Sequence, residues 1–140
     1  ELRADDVGVL NRRGVVLAKL DRLEEALLDF DRSLELSPEQ ADVLQDRGIV
    51  RGRLEQYEEA LADFSRVLEI KPDVVAPVYN RACVLSLMGD LETSLNELRQ
   101  VIAADGHYAE TAADDADFDA LRLDAALGPE FDALVADSPD

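Results

Sequence analysis

A single cysteine, Cys83, leaves the chain unable to close a disulfide on itself. The single histidine, His107, has no partner at metal-ligand or nucleophile spacing. No apolar run approaches the roughly 18 residues that a membrane-spanning helix needs, so no span is read here. Tryptophan is absent and aromatics make up 5%, so a core has to be built mainly from leucine, valine and alanine. The motifs of common chemistry are missing as well. There is no GxSxG, P-loop, GxGxxG, HExxH or paired CxxC. A calcium loop starting at Asp115 would need glycine at Ala120 and glutamate at Ala126. The sequence therefore points to no catalytic residue, no metal and no cofactor, and gives no reason to read an enzyme.

What is present is a repeat. LDRLEEALLDFDRSLELSP at 20–38 returns as LEQYEEALADFSRVLEIKP at 54–72, an offset of 34 residues. A third, more divergent copy follows after the same interval, with Leu98 in the place of Phe64 and Gly106 in the place of Pro72. Small residues recur at Gly14/Gly48/Ala82, Ala26/Ala60/Ser94 and Ser33/Val67/Val101. Large apolar ones recur at Leu10/Leu44/Val78, Leu23/Tyr57/Leu91 and Phe30/Phe64/Leu98. A fixed period of this length denotes stacked supersecondary units.

These positions resemble those of the tetratricopeptide repeat (TPR) family over residues 7–108. The resemblance implies an all-α fold, an α-solenoid of antiparallel helix pairs wound as a right-handed superhelix. The expected organisation is repeats at 7–40, 41–74 and 75–108, capping helices at 109–136 and a disordered tail at 137–140. Residues 1–6 align with 35–40 and read as the tail of a preceding repeat. The sequence departs from the family at its favoured tryptophan, replaced by Leu10, Leu44 and Val78, and at Arg51, where a large apolar residue is usual.

The expected helices are 7–20 with 23–36, 41–54 with 57–70, and 75–88 with 91–103. Apolar residues such as Leu23, Ala26, Leu27, Phe30 and Leu34 recur at helical spacing. Pro38 and Pro72 end the second helices, Gly89 suits a left-handed helix end and Pro77 a first turn. Gly14 with Ala26, and Gly48 with Ala60, are expected to let paired helices approach closely. Arg13, Arg47 and Arg81 each precede an acid by 16 residues, Asp29, Asp63 and Glu97. The acid changes size in the third copy but keeps its sign, which predicts an ion pair across each hairpin. Beyond residue 108 the apolar clusters Phe118/Leu121 and Phe131/Leu134/Val135 predict two short helices separated at Gly128-Pro129, with the acids around Asp114, Asp115, Asp117 and Asp119 solvated.

The net charge of −18 is unevenly placed. The first helices of the three pairs carry Arg12, Arg13, Lys19, Arg47, Arg51, Arg53 and Arg81 against only Asp42 and Asp46. In the family the first helices line a concave groove. The resemblance therefore implies a neutral-to-basic groove on an acidic body, repelling nucleic acid but open to an acidic protein segment. The family's inward positions fall on Asn11, Arg12, Val15, Ala18 and Lys19, then Gln45, Asp46, Ile49, Gly52 and Arg53, then Tyr79, Asn80, Cys83, Ser86 and Leu87. Some relatives hold the carboxylate tail of heat-shock proteins with a Lys/Asn/Arg clamp. Here Val15, Asp46, Ala76 and Asn80 stand at clamp positions, so that reading is not carried over. The expected function is a protein-interaction scaffold that binds a peptide segment or helix in the groove. The alternatives are a self-associating module, giving a homo-oligomer, or a regulatory domain of a larger protein.

Overall fold

The computed structural model describes residues 6–136, so the expectations for most of 1–6 and for 137–140 lie outside the described residues. The described residues are all-α and fall into two compact units, divided between Asp73 and Val74. The first contains α1 (Val7–Lys19), α2 (Leu23–Leu36), α3 (Ala41–Arg53) and α4 (Tyr57–Ile70). The second contains α5 (Ala76–Met88), α6 (Leu91–Ala104), α7 (Tyr108–Ala113), a 3-10 turn (Ala116–Phe118), α8 (Asp119–Leu123) and α9 (Gly128–Ala136). The helices α2, α4 and α6 begin at Leu23, Tyr57 and Leu91, at the period read from the sequence.

Each hairpin turn uses one device. After α1, Asp21 adopts φ 61° and the Arg22 N–H donates to the Leu17 carbonyl at 2.9 Å. After α3, Glu55 also has φ 61°, and Gln56 N–H donates to Arg51 O at 2.8 Å. After α5, Gly89 has φ 87°, and Asp90 N–H donates to Leu85 O at 2.9 Å. This left-handed helix end closes otherwise orphaned carbonyls. Only the third copy uses the residue type that adopts it without strain. Glu55→Gly is therefore expected to stabilise the chain by up to about 1 kcal/mol. Gly89→Ala should cost about the same, because no atom crowds the added methyl and backbone strain alone acts. Thermal melting of the two variants checks the opposite signs.

In the first unit, Leu23, Ala26, Phe30 and Leu34 of α2 share a core with Ala41, Val43, Leu44 and Val50 of α3 and Val67 of α4. The small residues also seat aromatic rings. A Cβ on Gly14 would stand 2.5 Å from the ring of Phe30, and one on Gly48 2.6 Å from the ring of Phe64. Each glycine is thus the seat of a phenylalanine four residues beyond the alanine expected to oppose it. In the second unit Ala82 and Leu98 replace the glycine and the phenylalanine, and both are fully buried.

The C-terminal region differs from expectation in its parts. Three short helices and a 3-10 turn stand where two helices were expected. The Asp115 carboxylate accepts the Asp117 N–H at 2.9 Å and caps the 3-10 turn, which interrupts the helical run. Phe118, Leu121 and Phe131 are fully buried and join Tyr79, Cys83, Leu95 and Leu98 in one core.

Candidate peptide-binding site

The bases of the first helices divide into two groups. Arg13 donates twice to Asp29, at 2.7 and 2.8 Å, and Arg47 twice to Asp63, at 3.0 and 2.8 Å. Arg81 donates to Glu97 at 2.9 Å, with a second contact at 2.5 Å. These forked pairs are the bridges that the 16-residue covariation predicts, and they turn the three guanidiniums toward their own hairpins. Arg51 joins them, donating to Asp63 at 3.0 Å, while Arg47 also donates to Asp31 of α2 at 2.9 Å. Burial alone would lower the Arg47 pKa, but the bonds and charges of Asp63 and Asp31 outweigh it and hold the guanidinium charged above its ordinary range. The basic groove expected from seven cations thus reduces, in the first unit, to Arg12, Lys19 and Arg53.

Six predicted residues of the first unit line one hollow. Val15 and Lys19 of α1 meet Asp46, Ile49 and Arg53 of α3 around a cavity of about 140 Å³. Ala18, Phe30 and Val50 complete its lining. The helical spacing of Val15, Ala18 and Lys19 faces that of Asp46, Ile49, Val50 and Arg53, which is how two first helices come to share a pocket. Arg53 is held at the rim by Asp21, at 2.7 Å, and by the Ala18 carbonyl, at 3.3 Å. The Lys19 side chain is exposed and makes no hydrogen bond among the described residues. The hollow therefore has an apolar wall, two cations and the Asp46 carboxylate.

Four other predicted residues of this unit, Asn11, Arg12, Gln45 and Gly52, do not line the pocket. Asn11 accepts from Ser33 Oγ at 2.5 Å and donates to Gln40 at 2.9 Å, tying α1 to the end of α2 and the start of α3. Gln45 is half-buried, and Arg12 is exposed beside the pocket rather than in it. In the second unit, Tyr79 and Cys83 are buried rather than presented to a groove. The Tyr79 hydroxyl donates to Asp115 Oδ2 at 2.6 Å, and Cys83 Sγ lies 3.6 Å from the same oxygen. Phe118 packs edge-on against Tyr79 with ring centroids 5.8 Å apart. The C-terminal segment thus covers the face expected to bind peptide there, and Asn80 is left half-buried beside it. Asp115, expected to be solvated, is the latch.

Cys83, Asp115 and Asp117 bring ligand-type atoms within 4.8 Å of one another, a juxtaposition hidden by a sequence separation of 32 between Cys83 and Asp115. Both Asp115 oxygens already accept from the chain. Burial, reinforced by the Asp115 and Asp117 charges, pushes the Cys83 thiol far above its usual range and keeps it protonated and inert. The cluster is a polar clasp of the core.

Two carboxylates are held above their ordinary range, Asp46 by burial and then by Asp42, and Asp117 by burial and then by Asp115 and Asp119. An acid whose pKa is higher in the folded state binds its proton more tightly there. Its effect is to lower stability as pH rises from the ordinary aspartate value through the raised one. Asp46→Asn and Asp117→Asn are therefore expected to raise stability near pH ~7 and to have little effect near pH ~3, below the carboxylate range. Urea unfolding at the two pH values checks the sign.

Tetratricopeptide repeat profiles match residues 7–40 and 41–74. With the helix pairs described above, this identifies the chain as a tetratricopeptide repeat protein. No curated protein matches it. Among solved structures, the first TPR of Spaghetti, bound to the HSP90 peptide SRMEEVD, is 12% identical with a TM-score of 0.68, over 96% of this chain and 94% of that one. MamA RS-1, as the ArsTM double mutant, is 20% identical with a TM-score of 0.78, over 94% and 74%. A tetratricopeptide repeat protein from Parabacteroides merdae is 22% identical with a TM-score of 0.78, over 97% and 54%. At these identities the likeness is one of fold. The fold is that of a protein-interaction scaffold.

Proposed function

We propose that the protein is a non-catalytic scaffold that binds an extended partner segment on the α1–α3 face, reading an apolar side chain next to a carboxylate. One observation carries this: an apolar pocket of about 140 Å³ whose opening holds both Lys19 and Arg53. The volume suits one branched aliphatic side chain. The two cations suit a neighbouring acid or a terminal carboxylate through charge-assisted bonds. Asp46, in the same lining, repels an acid at that point and so confines the ligand carboxylate to the side of Lys19 and Arg53. The Spaghetti TPR holds a peptide of the same general chemistry, acidic with a valine before its last aspartate. This chain lacks the clamp residues for a heat-shock tail, so the proposed ligand is the chemical class and not that peptide.

A displayed library of random decapeptides tests the reading. The wild-type chain should enrich sequences with an aliphatic residue beside Asp or Glu. Lys19→Glu combined with Ile49→Glu should abolish the enrichment with helicity retained, since both side chains are exposed. No enrichment, or enrichment indifferent to the double substitution, overturns it.

A further inference from the structure

The charges around the α1–α3 hollow are sorted along it. Asp42, Asp46, Ile49 and Arg53 follow one face of α3 at spacings of four, three and four. Asp46 and Arg53 both line the hollow, two helical turns or about 10 Å apart along the axis, with Ile49 between them. Lys19 joins the positive end, since Arg53 bonds the neighbouring Ala18 carbonyl at 3.3 Å. That end is partly answered within the chain, because Asp21 accepts from Arg53 at 2.7 Å. The negative end is not. Asp46 is half-buried, and its carboxylate accepts no hydrogen bond and makes no ion pair among the described residues. Asp42, one turn away, only repels it. Arg12, the repeat equivalent of Asp46 on α1, is turned elsewhere. Its guanidinium nitrogens lie 3.8 and 3.9 Å from the place of a Cβ on Gly8. A half-buried acid with no donor, next to a second acid, destabilises the fold that holds it.

Resting on the pocket reading above, we propose that Asp46, with Asp42 beside it, selects a partner segment that carries a lysine or arginine side chain on the far side of the aliphatic residue from the carboxylate. The cation supplies the donors that Asp46 lacks, through a charge-assisted bond. An extended chain rises about 3.3 Å per residue, so about three residues separate base from acid across the 10 Å between Asp46 and Arg53. The ligand is thus a base, one residue, an aliphatic residue and an acid, in either chain direction. This class is narrower than an aliphatic residue beside an acid. Its two charges cancel, so a body of net charge −18 does not repel it as it repels a purely acidic segment.

The probes are labelled peptides blocked at both ends, GSKALEGS and GSELAKGS, each with a counterpart carrying glutamine for lysine. Titrated into the whole chain, the lysine form of the better-bound order should bind about tenfold more tightly than its glutamine form, the size of one charge-assisted contact. Asp46→Asn should narrow that ratio to about twofold or less. Asp46→Lys should reverse the preference, so that glutamate in place of the peptide lysine binds best. Asp46 makes no bond within the described chain, so the asparagine variant should keep its circular dichroism. Equal binding of the lysine and glutamine forms to the wild type, or a lysine preference that survives Asp46→Asn, overturns the proposal. If such binding is still lost in Lys19→Glu, the pocket reading outlives it. No saturable binding of either order at about millimolar peptide overturns both. A glutamine peptide with a free N-terminus that outbinds the blocked lysine peptide assigns Asp46 to an α-amine and overturns the choice of a side chain.

Discussion

Replacing Asp63 by alanine is expected to cost about 3–5 kcal/mol, the size found when one partner of a buried ion pair is removed. Asp63 is 3% exposed and accepts from both Arg47 and Arg51. The side chains of those arginines are 17% and 19% exposed, so neither can turn fully into water when its acceptor goes. Asp31, the remaining acid, bonds Arg47 at 2.9 Å but stands 3.9 Å from Arg51. The repeat offers its own control. Asp29→Ala removes the equivalent acid, but its partner Arg13 is 57% exposed and becomes hydrated at once. With the surviving partner open to water, the loss there should be far smaller than at Asp63, about 1 kcal/mol. Urea unfolding of both variants decides the matter. Equal losses would mean that the network around Arg47 and Arg51 adds nothing to the simple pair. Against a total stability of about 5–15 kcal/mol, the Asp63 loss leaves little margin at physiological temperature.

The second large effect is Gly48→Ala. The methyl would meet the Phe64 ring at 2.6 Å, and that ring is 1% exposed, with no open space to move into. Overpacking of this kind costs about 1–3 kcal/mol, and the better helix propensity of alanine recovers about 1 kcal/mol at most. The third helix pair predicts the cure, because it holds Ala82 with Leu98. Gly48→Ala with Phe64→Leu should be less damaging than the two single losses added together, with a coupling of about 1–2 kcal/mol. A double-mutant cycle measured by denaturant unfolding checks this. Additive losses would show that the glycine and the ring are not in steric contact that matters.

Much of the architecture was legible because it is local or periodic. Helix starts at Leu23, Tyr57 and Leu91 follow from a repeated apolar pattern, and helix ends follow from Pro38, Pro72 and Gly89. The ion pairs were legible for a related reason: a register held over three copies lets Arg13, Arg47 and Arg81 be matched with acids by spacing alone. Arg51, a departure at a usually apolar position, shows no partner at the 16-residue spacing. Its sign is matched by Asp63, a residue already assigned to Arg47, and a one-to-one pairing hides a shared acceptor. The pocket residues Val15, Lys19, Asp46, Ile49 and Arg53 could be named from the family's inward positions, while Asn11 could not be distinguished from them. Its hydrogen bonds to Ser33 and Gln40 join residues 22 and 29 positions away, outside any repeated interval.

By itself, then, the amino-acid order determined the helix pairs, their 34-residue period, their turns and the charge partners within each pair. Each of these depends on neighbours along the chain or on a spacing that recurs. Only the tertiary structure decided that Phe30 and Phe64 rest on glycines, that Arg51 shares Asp63, and that Asp115 clasps Tyr79 and Cys83 beneath the C-terminal helices. Those contacts occur where side chains from different elements compete for the same space and the same acceptor. Such competition is settled by packing in three dimensions and leaves no periodic trace in the sequence.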